Sequence, residues 1–360
     1  MKGWKVAGVG FDHMHMGDLL RMVHGHERAS ICGMLDSHPE RMSAAARSFG
    51  VAPDRCFTDL GECMEKAAPD IVILCSTSSL HREWVEKLAP YGVHVLVEKP
   101  FATNLSDADA MISAMATSGK RLAINWPMAW YPSHVMCKKL IEAGTIGEPL
   151  EVHYYGGNRG PLYHLADKAL TDFGNSLEEK RAAWWYHKSE GGGSMQDYLG
   201  YGVTLGTWFL DGQIPLEVTA MTDRPEGLEV DEHSITIARY ANGLSKFETR
   251  WGTFTDPWTH QPQPKCGFIM VGSKGTISSF DLEQTVRVQD SKHPEGYDQP
   301  VDALLAPYQN PIQYFIHCLE SNQPFVGPLS PAISRIGQRI VDTAVLSASV
   351  GRAMPLVGEV

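Results

Sequence analysis

A chain of 360 residues with 43% hydrophobic and 20% charged side chains is too rich in core-forming residues for disorder. It is also longer than one hydrophobic core usually grows, so two domains are expected. A formal charge of −11 argues against nucleic acid or an anionic membrane as partner, since both demand a basic footprint. Seven scattered cysteines without a Cys-x-x-Cys pair suit neither a disulfide scaffold nor structural zinc. No stretch approaches the ~18 apolar residues of a membrane span, and Met1 leads into an apolar run with no signal segment ahead of it. A cytoplasmic protein is expected.

The first third alternates apolar runs with helical patterns. Runs at Lys5–Val9, Ser30–Leu35, Asp70–Cys75, His94–Val97 and Arg121–Asn125 read as strands. Between them, Leu19, Leu20, Met22 and Val23 recur at helical spacing, and Pro39–Phe49, Leu60–Ala67, His81–Leu88 and Leu105–Ser118 read as helices. Strands apolar on both faces and separated by helices predict a parallel sheet with crossover helices, which binds ligands at the carboxyl ends of its strands.

The first strand ends in Gly8-Val9-Gly10-Phe11-Asp12-His13, two glycines of the dinucleotide fingerprint with His13 in the third position. Gly8 permits the tight turn, and Gly10 lets the backbone approach a pyrophosphate at the helix start. Asp36 ends the second strand about 25 residues on, the place from which a carboxylate binds the adenosine ribose. That favours NAD over NADP, whose 2′-phosphate would be repelled, although Ser37, His38 and Arg41 stand close enough to offset part of the repulsion. The cluster Asp12-His13-Met14-His15 suggests metal ligation, but it lies in a loop that should cradle phosphate and shows no third ligand, so no metal is expected.

Lys99, at the end of the fourth apolar run, is followed by Pro100, which holds it extended. An ammonium there can hydrogen-bond a reacting hydroxyl and stabilise charge on its oxygen. The run His94 to Phe101, with Cys75-Ser76-Thr77 and Leu80-His81 before it, resembles the Gfo/Idh/MocA oxidoreductase superfamily. The likeness continues through Asp36–Arg41, Gly191–Asp197, Val271–Thr276 and Gly351-Arg352. The resemblance implies an N-terminal Rossmann domain over 1–124 and a C-terminal α/β domain over 125–360 with a large open, mostly antiparallel sheet. It further implies cofactor contacts from the glycine loop with Phe11, Asp12 and His13, from Asp36, Ser37 and Arg41, and from Ser76, Thr77, His81, Glu98 and Lys99. Catalysis is implied for Lys99 and for the helix after the triple glycine, where Asp197 matches an aspartate of the family. Tyr201 stands where many members carry a histidine. Asp197 and Tyr201, four apart, share one helix face, and an adjacent ammonium favours the ionised form of a phenol.

Beyond Asn125 the pattern shifts to alternation at 151–155, 217–221, 234–240, 245–251, 267–271 and 285–289, with turns at Ala241-Asn242-Gly243 and Ser273-Lys274-Gly275. These read as hairpins of a sheet with one covered face. Ile333, Ile336, Ile340, Ala344 and Val345 mark a late helix. The long segment from Gly156 to His187 reads as a loop over a pocket. Trp126, Tyr131 and Trp185 are candidate platforms for a sugar ring, and Asn158, Arg159, His164, His187 and Asp197 are candidate hydroxyl or carboxylate binders. The expected activity is hydride transfer to or from a secondary alcohol of a sugar, sugar derivative or cyclitol. The competing readings are a redox-neutral glycosidase or eliminase working through a transient keto-sugar, and a non-catalytic cofactor-binding sensor. An exposed sheet face predicts a homodimer or homotetramer.

Overall fold

The computed structural model describes residues 3–163, 171 and 176–358; the candidate His164 lies outside them. They fall into two compact units, the first mainly from Met1–Asn125 with Ala306–Pro331 and the second mainly from Trp126–Tyr163, Asp172–Leu305 and Ala332–Val360.

In the first unit β1 (Trp4–Val9), α1 (His15–His24), β2 (Ala29–Leu35), α2 (Pro39–Phe49), β3 (Cys56–Phe57), α3 (Leu60–Ala67), β4 (Ile71–Leu74), α4 (His81–Leu88), β5 (His94–Glu98), α5 (Leu105–Thr117) and β6 (Leu122–Asn125) follow one another. The strands form one parallel sheet in the order β3-β2-β1-β4-β5-β6. Ile71–Leu74 and Val95–Val97 are buried throughout, which is why both strands appear in the sequence as unbroken apolar runs. The helices start where side chains satisfy their first amides. Asn104 Oδ1 accepts from the Asp107 N–H at 3.0 Å, and an Asp59 carboxylate oxygen accepts from the Glu62 N–H at 2.8 Å. The order reverses between β1 and β4, so the crevice of this sheet lies at the carboxyl ends of those two strands.

The second unit holds α6 (Pro132–Glu142), β7 (Pro149–Asn158), α7 (Leu177–Ala182), α8 (Ser194–Phe209), β8 (Glu217–Asp223), β9 (His233–Tyr240), β10 (Gly243–Trp251), β11 (Gly267–Gly272), β12 (Gly275–Phe280), β13 (Thr285–Asp290) and β14 (Tyr297–Pro300). After α9 (Pro311–Glu320), which belongs to the first unit, α10 (Pro331–Val350) and β15 (Met354–Pro355) complete it. The nine strands run β14-β13-β12-β11-β7-β10-β9-β8-β15, antiparallel except for the central pair β7 and β10. The sequence suggests one division near residue 124. The structure also returns 306–331 to the first unit, where Glu320 accepts from Trp4 Nε1 at 2.9 Å and pairs with Arg28 at 2.7 Å.

One face of the large sheet is covered by helices and the other is not. Along β9 the inward side chains are Ser234, Thr236, Ala238 and Tyr240, whereas Ile235 and Ile237 point outward. Where α8 lies against the sheet the small residue is on the helix: a Cβ at Gly206 would lie 3.2 Å from Phe247 and 3.4 Å from Val152. Among the described residues no helix is long and apolar enough to cross a membrane, and all seven cysteines are free thiols.

Candidate active site

The glycine loop is held by polar contacts on both sides. Gly10 has φ +73°, and a Cβ there would lie 2.8 Å from the Ser76 amide nitrogen. Only glycine allows the turn after β1 to pass so close to the end of β4. The Phe11 N–H donates to Asp36 Oδ2 at 2.7 Å and the His38 N–H to Asp36 Oδ1 at 2.8 Å. A carboxylate has about four acceptor positions, so ribose hydroxyls still find lone pairs there. Gly10, the buried Asp36 and the crevice beside β1 together fit a dinucleotide.

Two observations change the sequence reading of this loop. Arg41 is paired with Asp12 and lies 3.9 Å from Asp36, so its charge is already opposed by two carboxylates. Burial pushes the Asp12 carboxyl above its ordinary value, against the pull of Arg41. Asp12 also accepts from the Thr77 N–H at 3.3 Å, which ties the loop after β1 to the loop after β4. The His81 ring is engaged by backbone carbonyls. It is fully buried, with Nδ1 3.1 Å from the Phe101 carbonyl and Nε2 3.2 Å from the Ser76 carbonyl. It clamps the segment after Lys99 to the end of β4 and leaves no ring nitrogen for a cofactor.

Lys99 follows β5 directly and is 4% exposed. Its neighbour Glu98 is 0% exposed, accepts from Asn125 Nδ2 at 2.7 Å and meets His15 Nδ1 at 2.8 Å. Burial raises the carboxyl pKa. The charge and hydrogen bond of His15, the charge of Lys99 and the Asn125 amide outweigh it and hold Glu98 below its ordinary value. A carboxylate this deep is ionised because it is surrounded by donors and cations. His13 lies beside His15, ring centroids 4.4 Å apart, and donor atoms of His13, His15 and Glu98 all fall within 4.8 Å of one another. The sequence shows no third ligand near the two histidines; the fold brings one from 83 residues away.

In the second unit, α8 presents Asp197 and Tyr201. Its start is fixed by Asp231, which accepts from Ser194 Oγ at 2.7 Å and the Met195 N–H at 2.9 Å. Burial raises the Asp231 carboxyl, and these hydrogen bonds partly offset that. No local signal marks this cap, since Asp231 lies 36 residues from the amide it satisfies. Asp197 Oδ2 accepts from Trp251 Nε1 at 3.3 Å. Tyr201 meets the ring of Trp126 edge-on at 5.5 Å. The glycines flanking Tyr201 make room for large rings: a Cβ at Gly200 would lie 2.6 Å from Trp126, and one at Gly202 would lie 2.4 Å from Tyr154.

Several candidate sugar binders do other work. Trp126 is buried, with Nε1 donating to Ser334 Oγ at 3.0 Å, so its ring is packing beneath Tyr201. Asn158 is buried and its Oδ1 accepts from the Gly160 N–H at 2.9 Å, building a turn. Trp185 stacks on Trp184 at 3.8 Å, and its carbonyl receives the Gly193 N–H at the start of α8. Tyr131 packs against His134 at 5.7 Å. Arg159 lies over the ring of Tyr163 at 4.2 Å, and His187 is 3.9 Å from Glu229. Both of these side chains retain solvent contact.

Comparison with known proteins decides the lineage. The family model described as "Oxidoreductase family, NAD-binding Rossmann fold" matches residues 3–126, and "GFO/IDH/MocA C-terminal domain" matches 134–278. The chain belongs to the Gfo/Idh/MocA oxidoreductase family. A D-apiose dehydrogenase of Paraburkholderia graminis is 32% identical over 147 residues, 40% of this chain and 37% of that protein. A 2,7-anhydro-N-acetylneuraminate hydratase of Escherichia coli is 26% identical over 293 residues, 79% of this chain and 69% of that protein. The match thus spans well under half of the D-apiose dehydrogenase. An oxidoreductase from Agrobacterium radiobacter, solved with NAD+, L-tartaric acid and magnesium, shares the fold with a TM-score of 0.77 at 20% identity, covering 99% of each chain.

The glycines beside Tyr201 yield a direct test. Gly202→Ala places a methyl against a fully buried tyrosine ring and should destabilise the protein by about 1–3 kcal/mol. A urea unfolding midpoint equal to that of the wild type would contradict the packing described.

Proposed function

We propose that this protein is an NAD-dependent oxidoreductase acting on a secondary alcohol, or the corresponding ketone, of a sugar-like substrate. The observation that carries the reading is a buried lysine at the carboxyl end of an interior Rossmann strand, Lys99, directly after a buried carboxylate. When bound, the nicotinamide supplies the carbon that takes or gives hydride. Gly10 and the loop around it admit the pyrophosphate, and Asp36 receives the ribose hydroxyls. Asp36 together with an Arg41 already opposed by Asp12 favours NAD, because a 2′-phosphate there would meet two carboxylates and one shared guanidinium. Lys99 donates a hydrogen bond to the reacting oxygen and stabilises its charge. From the family motif, Tyr201 is assigned to moving the hydroxyl proton and Asp197 to catalysis and to binding substrate hydroxyls. The sugar class is supported by the name of the D-apiose dehydrogenase relative.

A second reading has its own support. The hydratase relative aligns over most of both chains, which favours redox-neutral chemistry on a transient keto-sugar. Release of product without net NADH would select it over simple dehydrogenation.

With NAD and a panel of sugars and cyclitols, at least one alcohol should generate NADH absorbance. Lys99→Ala should then lower kcat roughly 10²–10⁴-fold while NAD still binds, and Tyr201→Phe should alter the pH–rate profile. Near-normal turnover in the lysine variant would remove it from the chemistry.

Asp36→Asn should weaken NAD binding and reduce the preference for NAD over NADP by about tenfold, a ~1.4 kcal/mol change. Cofactor titrations followed by protein fluorescence measure both constants. An unchanged ratio would show that Asp36 does not read the ribose.

We propose, too, that the protein is a homo-oligomer joined through the uncovered sheet face, where Ile235, Ile237, Leu244 and Met221 lie exposed. Such an apolar patch marks an association surface. Ile235→Glu with Ile237→Glu should convert the oligomer to monomer in light scattering coupled to gel filtration. A monomeric wild-type protein would refute the assignment.

A further inference from the structure

The second unit holds an arginine at the same sheet edge as Asp197. β7 and β10 are the parallel pair of the large sheet, so their carboxyl ends lie together, with Asn158 in register with Trp251. Trp251 Nε1 donates to Asp197 Oδ2 at 3.3 Å, and the Trp251 ring lies 5.3 Å from that of Tyr186. A Cβ on Gly160 would stand 3.9 Å from the Tyr186 hydroxyl and 3.4 Å from the Tyr163 ring. Neighbouring groups therefore run from Asp197 through Trp251, Tyr186 and Gly160 to Tyr163 and Arg159.

Arg159 is held at both its backbone and its side chain. Its N–H donates to Asp256 Oδ1 at 2.9 Å, and its guanidinium lies over the Tyr163 ring at 4.2 Å. A ring contact of that kind uses the flat face of a guanidinium. The N–H edge remains, and it is the edge that meets a carboxylate in two parallel hydrogen bonds. Among the described residues no carboxylate lies within ion-pair distance of Arg159. Burial raises the Asp256 carboxyl, and the Arg159 N–H and charge only partly offset that. Lys180, beside Tyr186, is taken up by Glu232 at 2.6 Å. The Arg159 side chain is half-buried, so its charge is partly desolvated and still open to a ligand.

We propose that Arg159 binds a carboxylate carried by the substrate, which makes the substrate a sugar acid rather than a neutral sugar. This rests on the oxidoreductase reading and narrows its substrate class. A carboxylate suits the local charge better than a phosphate. Asp197, Asp256 and Glu232 stand along the same edge, Glu232 receiving the Tyr186 hydroxyl at 3.1 Å. A phosphate dianion would bring more negative charge among them than one guanidinium offsets.

Calorimetric titration of the full-length protein saturated with NADH, so that no alcohol is oxidised, tests the subsite by itself. The probes are D-glucuronate, D-galacturonate and D-gluconate, each beside its neutral counterpart D-glucose, D-galactose or D-glucitol. At least one acid should bind about tenfold or more tightly than its counterpart. Arg159→Gln should remove most of that difference, and Arg159→Lys should restore part of it, since an ammonium keeps the charge and lacks the fork. Equal affinity for acids and neutral sugars in the wild type overturns the proposal. So does a preference that survives Arg159→Gln, or tighter binding of D-glucose 6-phosphate than of any acid. Should the glutamine variant not fold, the wild type and the lysine variant decide, because the preference must be present in the first and weaker in the second.

In turnover with NAD, an acid should show a lower KM than its neutral counterpart, and Arg159→Gln should raise that KM about 10–100-fold with a much smaller change in kcat. A fall in kcat with KM unmoved overturns the assignment. If no alcohol is oxidised, the oxidoreductase reading fails, while the titration still decides whether Arg159 selects a carboxylate.

Discussion

A carboxylate with no solvent contact must be matched by donors and opposite charge, or it gives up its ionisation. Glu98 is in that position, and much of the first unit's geometry follows from satisfying it. His15 has to open α1 where its ring reaches the end of β5, and Asn125 has to close β6 in register with Glu98. Lys99 then leaves the strand beside a fixed negative charge. An apolar residue at 98 would leave His15 Nδ1 and Asn125 Nδ2 without the carboxylate oxygens they now meet. The buried charge thus fixes how α1, β5 and β6 meet at the carboxyl edge of the sheet.

How much of this was legible in the sequence depends on the reach of the interaction. The parallel strands were visible because burial on both faces turns them into apolar runs such as Ile71–Leu74, and Asp36 because it sits at a fixed distance from the glycine loop. Short or amphipathic pieces were missed: the two-residue β3, α6 and α9, and β14 on the sheet edge. β3 and β14 are too short to show periodicity, whereas α9 does carry a local start signal in Asn310, which accepts from the Gln313 N–H at 3.0 Å. The pairing of His15 with Glu98 joins positions 83 residues apart, and Asp231 reaches the start of α8 across 36. Composition and spacing carry no trace of either.

Aromatic residues misled the sequence reading for a related physical reason. Trp126 and Trp185 have the surface of a sugar platform and equally that of a core wedge, and only burial distinguishes the two. The glycines around Tyr201 supplied the missing clue. Glycine is costly inside a helix, so Gly200 and Gly202 imply that large rings approach the backbone on both sides. Trp126 and Tyr154 are those rings. The helix gives up intrinsic stability and gains a Tyr201 whose position is set by packing on either side.

The large sheet shows the same logic in reverse. Alternation along β9 was legible, but the usual assignment of faces was not followed: serine, threonine and alanine point toward the helices, and isoleucine points outward. Small inward side chains let Ser194 and Ser234 both meet Thr249, at 3.1 and 2.7 Å, linking the start of α8 to two strands by hydroxyl contacts. This stretch of β9 contributes little hydrophobic stabilisation, which elsewhere in the sheet comes from buried Val152, Phe247, Phe268 and Ile277. Its contribution is to fix where α8 begins, and so where Asp197 and Tyr201 stand. Ile235 and Ile237 stay exposed on the outer face, so the polar inward side of β9 comes with an apolar outward one.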